Sequence, residues 1–209
     1  MTTTGQPARA AATRPPGRPL SSELSDQLVS VAVDILADEG WGRLNSDRIA
    51  ARAKAGKAGI YRRWPTMAAL ARHALGQSSL VLLPADSGSL HDDLGALLEP
   101  WTRPLDRAER AAASLVGAAR HDEQLRAGLE EALVRPLAMV VREIARRETS
   151  RGRELPADRV ALLGSVLEAL WWQRYTAFEH APLDGDGVRQ LVADVLLPIT
   201  EAETVAGRA

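Results

Sequence analysis

Asn45-Ser46-Asp47-Arg48-Ile49-Ala50-Ala51-Arg52-Ala53-Lys54-Ala55-Gly56-Lys57-Ala58-Gly59-Ile60-Tyr61-Arg62-Arg63-Trp64-Pro65-Thr66 reads as two short helices and the turn between them. Asn45 can cap a helix from Ser46 to Ala53, on which Ile49, Ala50 and Ala53 share one face. Gly56 breaks the chain before a second short helix, Lys57 to Arg63, and Pro65 ends that one. The small side chains of Ala50 and Ala53 let the first helix lie close across the second. Ile60 and Trp64 then turn inward, and Lys57, Ala58, Tyr61 and Arg62 face outward. Two short helices in this relation, bracketed by longer ones, form a helix-turn-helix, and the DNA major groove is wide enough for the second of them.

Charge points the same way. The full 209 residues carry a net charge of only −1, so a protein that coats nucleic acid over its whole surface is excluded. Residues 1–75, however, hold eleven Arg or Lys against six Asp or Glu, and the rest of the chain is correspondingly acidic. Between Arg43 and Arg72, eight cations (Arg43, Arg48, Arg52, Lys54, Lys57, Arg62, Arg63 and Arg72) face only Asp47. Such a field suits a polyanion, whose neutralised phosphates release condensed counterions. A solvated arginine-rich helix face has the same composition, and charge alone does not separate the two.

Working outward, every periodic segment is helical. Leu28, Val31, Ala32, Ile35 and Leu36 form one stripe of a helix from Leu24 to Glu39 that stops at Gly40 and Gly42, and Thr66 caps a helix carrying Met67, Leu70, Ala71, Ala74 and Leu75. Beyond Pro84, Asp86 and Gly88, helix starts recur at Ser89 with Asp92 and at Asp106 with Glu109. Pro136 should kink or divide the helical segment Glu123 to Arg147, and Pro156 is placed to start a helix carrying Leu163, Leu167, Leu170, Trp171 and Tyr175. A last helix carries Val188, Leu191, Val192, Val195, Leu196 and Ile199. No strand-length alternation and no repeat is visible, so the expected fold is all-α with about nine helices. Its parts are a basic arm without apolar periodicity (1–21), a helix-turn-helix domain (22–76) and a larger regulatory and dimerisation domain (77–209). A hydrophobic fraction of 45% suffices for a sizeable core. The absence of cysteine excludes disulfide scaffolds and thiolate chemistry, and the short apolar runs argue against a signal peptide or a spanning helix. The reading is a soluble, cytoplasmic chain with no cofactor and no metal.

Three blocks, Ala32-Val33-Asp34-Ile35-Leu36-Ala37-Asp38-Glu39-Gly40-Trp41, Ile49-Ala50-Ala51-Arg52-Ala53, and Ile60-Tyr61-Arg62-Arg63-Trp64-Pro65-Thr66-Met67-Ala68-Ala69-Leu70, resemble in content and spacing the amino-terminal domain of tetracycline-repressor (TetR) family transcription regulators. The resemblance covers about residues 24–75. It implies that Tyr61 sets its hydroxyl on a phosphate, that Lys57, Ala58 and Arg62 meet base edges or backbone, that Asn45 and Ser46 hold the adjoining phosphate strand, and that Arg18 belongs to an arm entering the minor groove. Arg63 reads as a solvated charge rather than a base reader. Three departures stand out. Gly59 replaces the family's usual Thr on phosphate, Gly56 its capping Ser, and Met67 its Lys, changes that should weaken binding unless Arg48, Arg63 and Arg72 compensate.

The resemblance further implies a homodimer formed through the last two helices, about 157–181 and 187–203, on an inverted-repeat DNA operator. It also implies an unknown small-molecule effector, apolar or aromatic, that releases the repressor. Trp101, His121, Trp172, Tyr175 and Phe178 could line its pocket as aromatic walls with a few polar groups, although aromatics at helical spacing are more often core. The rival class is an enzyme. His91-Asp92 and His121-Asp122 are similar to dipeptides of all-helical metal-dependent phosphohydrolases, yet both stand at apparent helix starts, where Asp is favoured by the dipole, and further ligands are missing.

Overall fold

A computed structural model describes residues 22–177 and 181–201. Arg18 and Phe178 therefore lie outside the described residues. Within them the chain is helical, with nine rods: α1 (Ser22–Glu39), α2 (Ser46–Ala53), α3 (Lys57–Tyr61), α4 (Met67–Gly76), α5 (Leu90–Leu97), α6 (Arg107–Ala119), α7, α8 (Ala157–Thr176) and α9. The rod α7 runs through Glu123–Leu129, Glu130–Val134 and Arg135–Ser150, and α9 through Gly185–Leu191, Val192–Leu196 and Leu197–Thr200.

The capping chemistry places most starts where the sequence puts them. Asn45, Thr66, Ser89 and Asp106 each accept a backbone N–H from three residues on, and Asp106 with Glu109 closes a full capping box. Pro136 divides the regular α-helix of α7 without ending the rod. Proline has no N–H and crowds the carbonyl four residues back, and the rod absorbs both by widening into a π turn just before it, where Arg135 N–H reaches the Glu130 carbonyl. Pro198 is accommodated identically, with Leu197 N–H on the Val192 carbonyl. The second short helix ends at Tyr61, two residues early, because Arg63 N–H turns to the Ile60 carbonyl (2.9 Å) as the chain tightens ahead of Pro65.

One apolar core runs through the molecule. Leu28, Ala32, Ile35 and Leu36 of α1 are fully buried, and α1 packs on α2, α4 and α6. Its outer edge is tied to α6 by Arg107 on Asp34 (2.5 Å) and Arg110 on Asp38 (3.3 Å). The helix α4 lies against α7 so closely that a Cβ on Gly128 would stand 3.1 Å from Arg72 Cα. Arg72 Nη2 meets Glu131 Oε1 at 2.5 Å, and Thr66 reaches Gln124 at 3.2 Å. Elsewhere Asp93, completely buried on α5, accepts the Ser87 N–H and hydroxyl and pairs with Arg147 of α7 and with Arg151 just past its end, pinning the loop that precedes α5. No helix among the described residues is long and apolar enough to cross a membrane.

Candidate functional site

The turn between α2 and α3 is made by Lys54, which adopts a left-handed conformation (φ 49°) as the C-cap of α2 while Ala55 N–H returns to the Ala50 carbonyl at 3.0 Å. Across this turn α2 and α3 are held by Ile49 and Ile60, both at 0% exposure, and by buried Trp64. Five residues cannot sustain a helix in water, so α3 owes its form to this packing. The side chains that do not pack are turned out: Lys57, Ala58, Tyr61 and Arg62 are exposed, and Gly59 is half-buried. Tyr61 remains 49% exposed, with its hydroxyl 3.1 Å from Ser46 Oγ, which brings the two elements' expected phosphate-side groups together. Asn45 is engaged as a cap, accepting Arg48 N–H at 2.9 Å.

The cations of this face are not equivalent. Arg48 and Arg52 both pair with Glu39 at the end of α1, and Lys57 pairs with Asp47, whose hydrogen bond and charge push the lysine pKa above its ordinary value. Arg63 is turned back on the domain, donating to Ser25 Oγ (2.8 Å) and to the Gly59 carbonyl (2.9 Å). The three arginines expected to compensate for the lost family contacts, Arg48, Arg63 and Arg72, thus all have partners within the chain. Among the described residues Arg43, Lys54 and Arg62 form no ion pair.

Of the expected pocket residues that are described, Trp101 and Tyr175 share one cluster, and Trp172 and His121 do not join it. Trp101 is buried edge-on against Trp171, with ring centroids 4.4 Å apart, and the Arg174 guanidinium sits 5.3 Å from the Trp101 ring. Arg174, only 2% exposed, lies on Glu109 at 3.3 Å, and Arg103 holds the same carboxylate at 2.6 Å. Burial and then the Glu109 charge push the Tyr175 phenol well above its ordinary pKa, so it stays protonated, and among the described residues neither its hydroxyl nor the Trp171 indole N–H has a hydrogen-bond partner. Trp172 faces away and donates to Glu168 (3.0 Å). His121 is exposed at the far end of α6, twelve residues from Glu109, which at the helical rise is ~18 Å. Sequence reading missed Glu109, Arg103 and Arg174 as members of this cluster. The signal for Arg174 was available: it falls in the buried stripe of α8, seven residues after Leu167 and three after Trp171.

Two cavities open in the larger domain, the first of them against this cluster. One, of about 410 Å³, lies under residues 79–85 and touches Leu80, Leu97, Pro100, Arg103, Glu109 and Trp171. The other, of about 580 Å³, is a groove between α7 and α8 that includes Val141, Val160, Gly164 and Glu168. The phosphohydrolase alternative finds no support. Asp122 caps α7, Asp92 sits in the cap of α5 hydrogen-bonded to Ser89 and His91, and no cluster of three metal-ligating side chains exists among the described residues.

Comparison with known proteins agrees with the geometry. Residues 28–74 match the family described as bacterial regulatory proteins, tetR family, and residues 84–195 match the tetracyclin repressor-like C-terminal domain. A DNA-binding transcriptional repressor TetR of Mycobacteroides abscessus is 33% identical over 177 residues, covering 83% of this chain and 92% of its own. An HTH-type transcriptional regulator of Mycobacterium bovis is 28% identical, covering 82% and 85%. Among solved structures, a TetR family transcription regulator superposes with a TM-score of 0.57 at 24% identity, covering 84% of this chain and 97% of that one. The multidrug binding protein EbrR, complexed with malachite green, superposes with a TM-score of 0.62 at 16% identity, covering 85% and 98%. The outward-facing third helix and these matches, which together span both parts of the molecule, lead to one conclusion: the chain belongs to the TetR family and is a DNA-binding transcriptional regulator.

Proposed function

We propose that this regulator is a homodimeric repressor that lays α3 of each protomer into successive major grooves of an inverted-repeat operator and leaves it when an apolar or aromatic effector occupies the larger domain. The observation that carries the DNA half is the outward presentation of Lys57, Ala58, Tyr61 and Arg62 on a helix whose other face is fully buried. Tyr61, whose hydroxyl rests on the buried Ser46, takes a phosphate with Asn45 beside it, and Lys57 and Arg62 reach base edges or backbone. Arg18 would add a minor-groove contact from the arm. Arg63 braces the helix from behind through Ser25 and Gly59 rather than reading DNA.

A single reading helix contacts only half a site, so two-fold symmetry is needed to double the contacts. The seam is proposed on α8 and α9, where Leu162 (45% exposed) and Val195 (42% exposed) stand with half-buried Val166, Leu170, Leu191 and Ile199. The effector is assigned to the cavity under residues 79–85. That cavity combines apolar walls with the Arg103 and Glu109 charges and lies over the aromatic cluster of Trp101, Trp171 and Tyr175. His121 and Trp172 are set aside from it on position alone.

The deciding experiment measures binding to a selected operator and to single-base variants. Arg62→Ala should relax preference at one position per half-site, by about 1–3 kcal/mol for a bidentate base contact. Tyr61→Phe should weaken all sequences alike. Unchanged profiles for both variants would retire α3 as the reading helix.

A further inference from the structure

Arg48, Arg52 and Lys57, three of the cations on the DNA-binding face, are occupied in the free chain by two carboxylates. Glu39 is the last residue of α1, where the helix dipole disfavours an anion and where no basic residue of α1 lies in the same turn. Helix chemistry therefore does not explain it; what it does is receive Arg48 and Arg52, one turn apart on α2, from across the crossing. Asp47 suits the first turn of α2, but its partner Lys57 opens α3, where a positive charge is disfavoured, and the two side chains are 72% and 54% exposed. An exposed salt bridge at this spot leaves the lysine at the surface that DNA would approach.

From this placement we infer that Asp47 and Glu39 are competing anions: they hold the cations of the DNA face in the unbound regulator and so keep down its sequence-independent affinity for DNA. The inference rests on the assignment of α3 to the DNA interface. When Lys57 moves to a phosphate it exchanges one anion for another, and the freed Asp47 carboxylate attracts a counterion back. The net ion release, and with it the salt dependence, is then smaller than the count of cations implies. Both effects act on any duplex, so the acids set how loosely the protein holds non-operator DNA rather than which bases it prefers.

The test is a double-mutant cycle on the full chain, read as binding to a random-sequence 30-base-pair duplex over a salt series, with thermal melts confirming that each variant folds. Asp47→Asn should raise affinity about two- to fivefold per protomer, the range of an exposed ion pair, and steepen the salt slope by about one per protomer. In a Lys57→Gln background the same substitution should do neither. Glu39→Gln should act in the same direction through Arg48 and Arg52. No change on Asp47→Asn overturns the inference, as does an equal gain in the Lys57→Gln background, since that would be general charge repulsion. Should Lys57→Gln itself leave binding unaltered, the assignment of α3 to the DNA interface fails instead.

Discussion

Arginine is used in opposite ways at the two ends of this molecule. Around α2 and α3, Arg48, Arg52 and Arg62 lie at the surface, two of them on Glu39, and a phosphate can replace a carboxylate there at little cost. In the larger domain Arg147 and Arg174 are 8% and 2% exposed, each bound to a carboxylate, Asp93 or Glu109, that is itself buried. Surface pairs exchange partners readily, whereas an unpaired charge in the interior costs several kcal/mol. The same residue type serves exchange on one side and fixed shape on the other.

The sharpest way to break that contrast is Asp93→Ala. It would leave Arg147 without its buried carboxylate and Arg151 with fewer partners, and would release the Ser87 loop. The expected loss is about 3–5 kcal/mol of unfolding free energy in denaturant titration, and a loss under about 1 kcal/mol would show that the interior pair is no more demanding than a surface one. Acid sharpens the same point. Burial raises the Asp93 pKa, but the Ser87 N–H and hydroxyl and the Arg151 guanidinium outweigh it and hold the carboxyl below its ordinary value. A depressed carboxylate adds stability that is fully present above the unfolded pKa of about 3.9 and is lost as pH falls through the lower folded value. Asp93→Asn should therefore flatten the stability profile below about pH 4, and an unaltered acid limb would assign it to other groups.

Between the two regions stands the contact of α4 with α7, where the missing side chain of Gly128 lets Arg72 approach. Gly128→Ala places a methyl 3.1 Å from Arg72 Cα and 3.3 Å from its Cβ, and backbone cannot swing aside as a side-chain tip can. We expect a cost of about 1–3 kcal/mol, the range for overpacking. DNA affinity should change as well, because residue 128 packs on α4 and α4 follows α3 directly. Gly164→Ala is the control: its nearest neighbour, Val141 Cγ1 at 3.9 Å, is in ordinary contact, so it should carry no such cost and instead gain about 0.5–1 kcal/mol of helical propensity. If both variants bind DNA like the parent, the two regions are mechanically independent.

What was legible in the sequence follows the same division. Asn45, Gly56 and Pro65 act on neighbours a few residues away, so the helix-turn-helix could be read from local chemistry and its outward residues from spacing alone. Asp93 with Arg147 and Glu109 with Arg174 are separated by 54 and 65 residues, and nothing in a single chain announces such partners. Aromatic type at helical spacing likewise failed to say which ring joins which group: Trp101 and Tyr175 join the Glu109 cluster, while Trp172, one residue past Trp171, is turned by about 100° away from it. Pro136 was legible as an interruption of α7, but not as a π turn through which the helical path continues.

The smallest expected effect concerns α3 itself. Gly59 lies mid-helix, and a Cβ there would meet only Arg63 Nη1 at 3.7 Å, so space does not require glycine. Gly59→Ala should stabilise the chain by about 0.5–1 kcal/mol, the difference in helical propensity, with no new contact to DNA. Any gain in affinity for the operator then measures how much of α3 is ordered only on binding. Packing by Ile60 and Trp64 already fixes the helix in the free chain, so the gain should stay below about twofold, well short of the tenfold that 1.4 kcal/mol would give. A gain near the full stabilisation would show that the reading helix is loose before DNA arrives, and that its rigidity resembles the exchangeable surface around it more than the locked interior behind it.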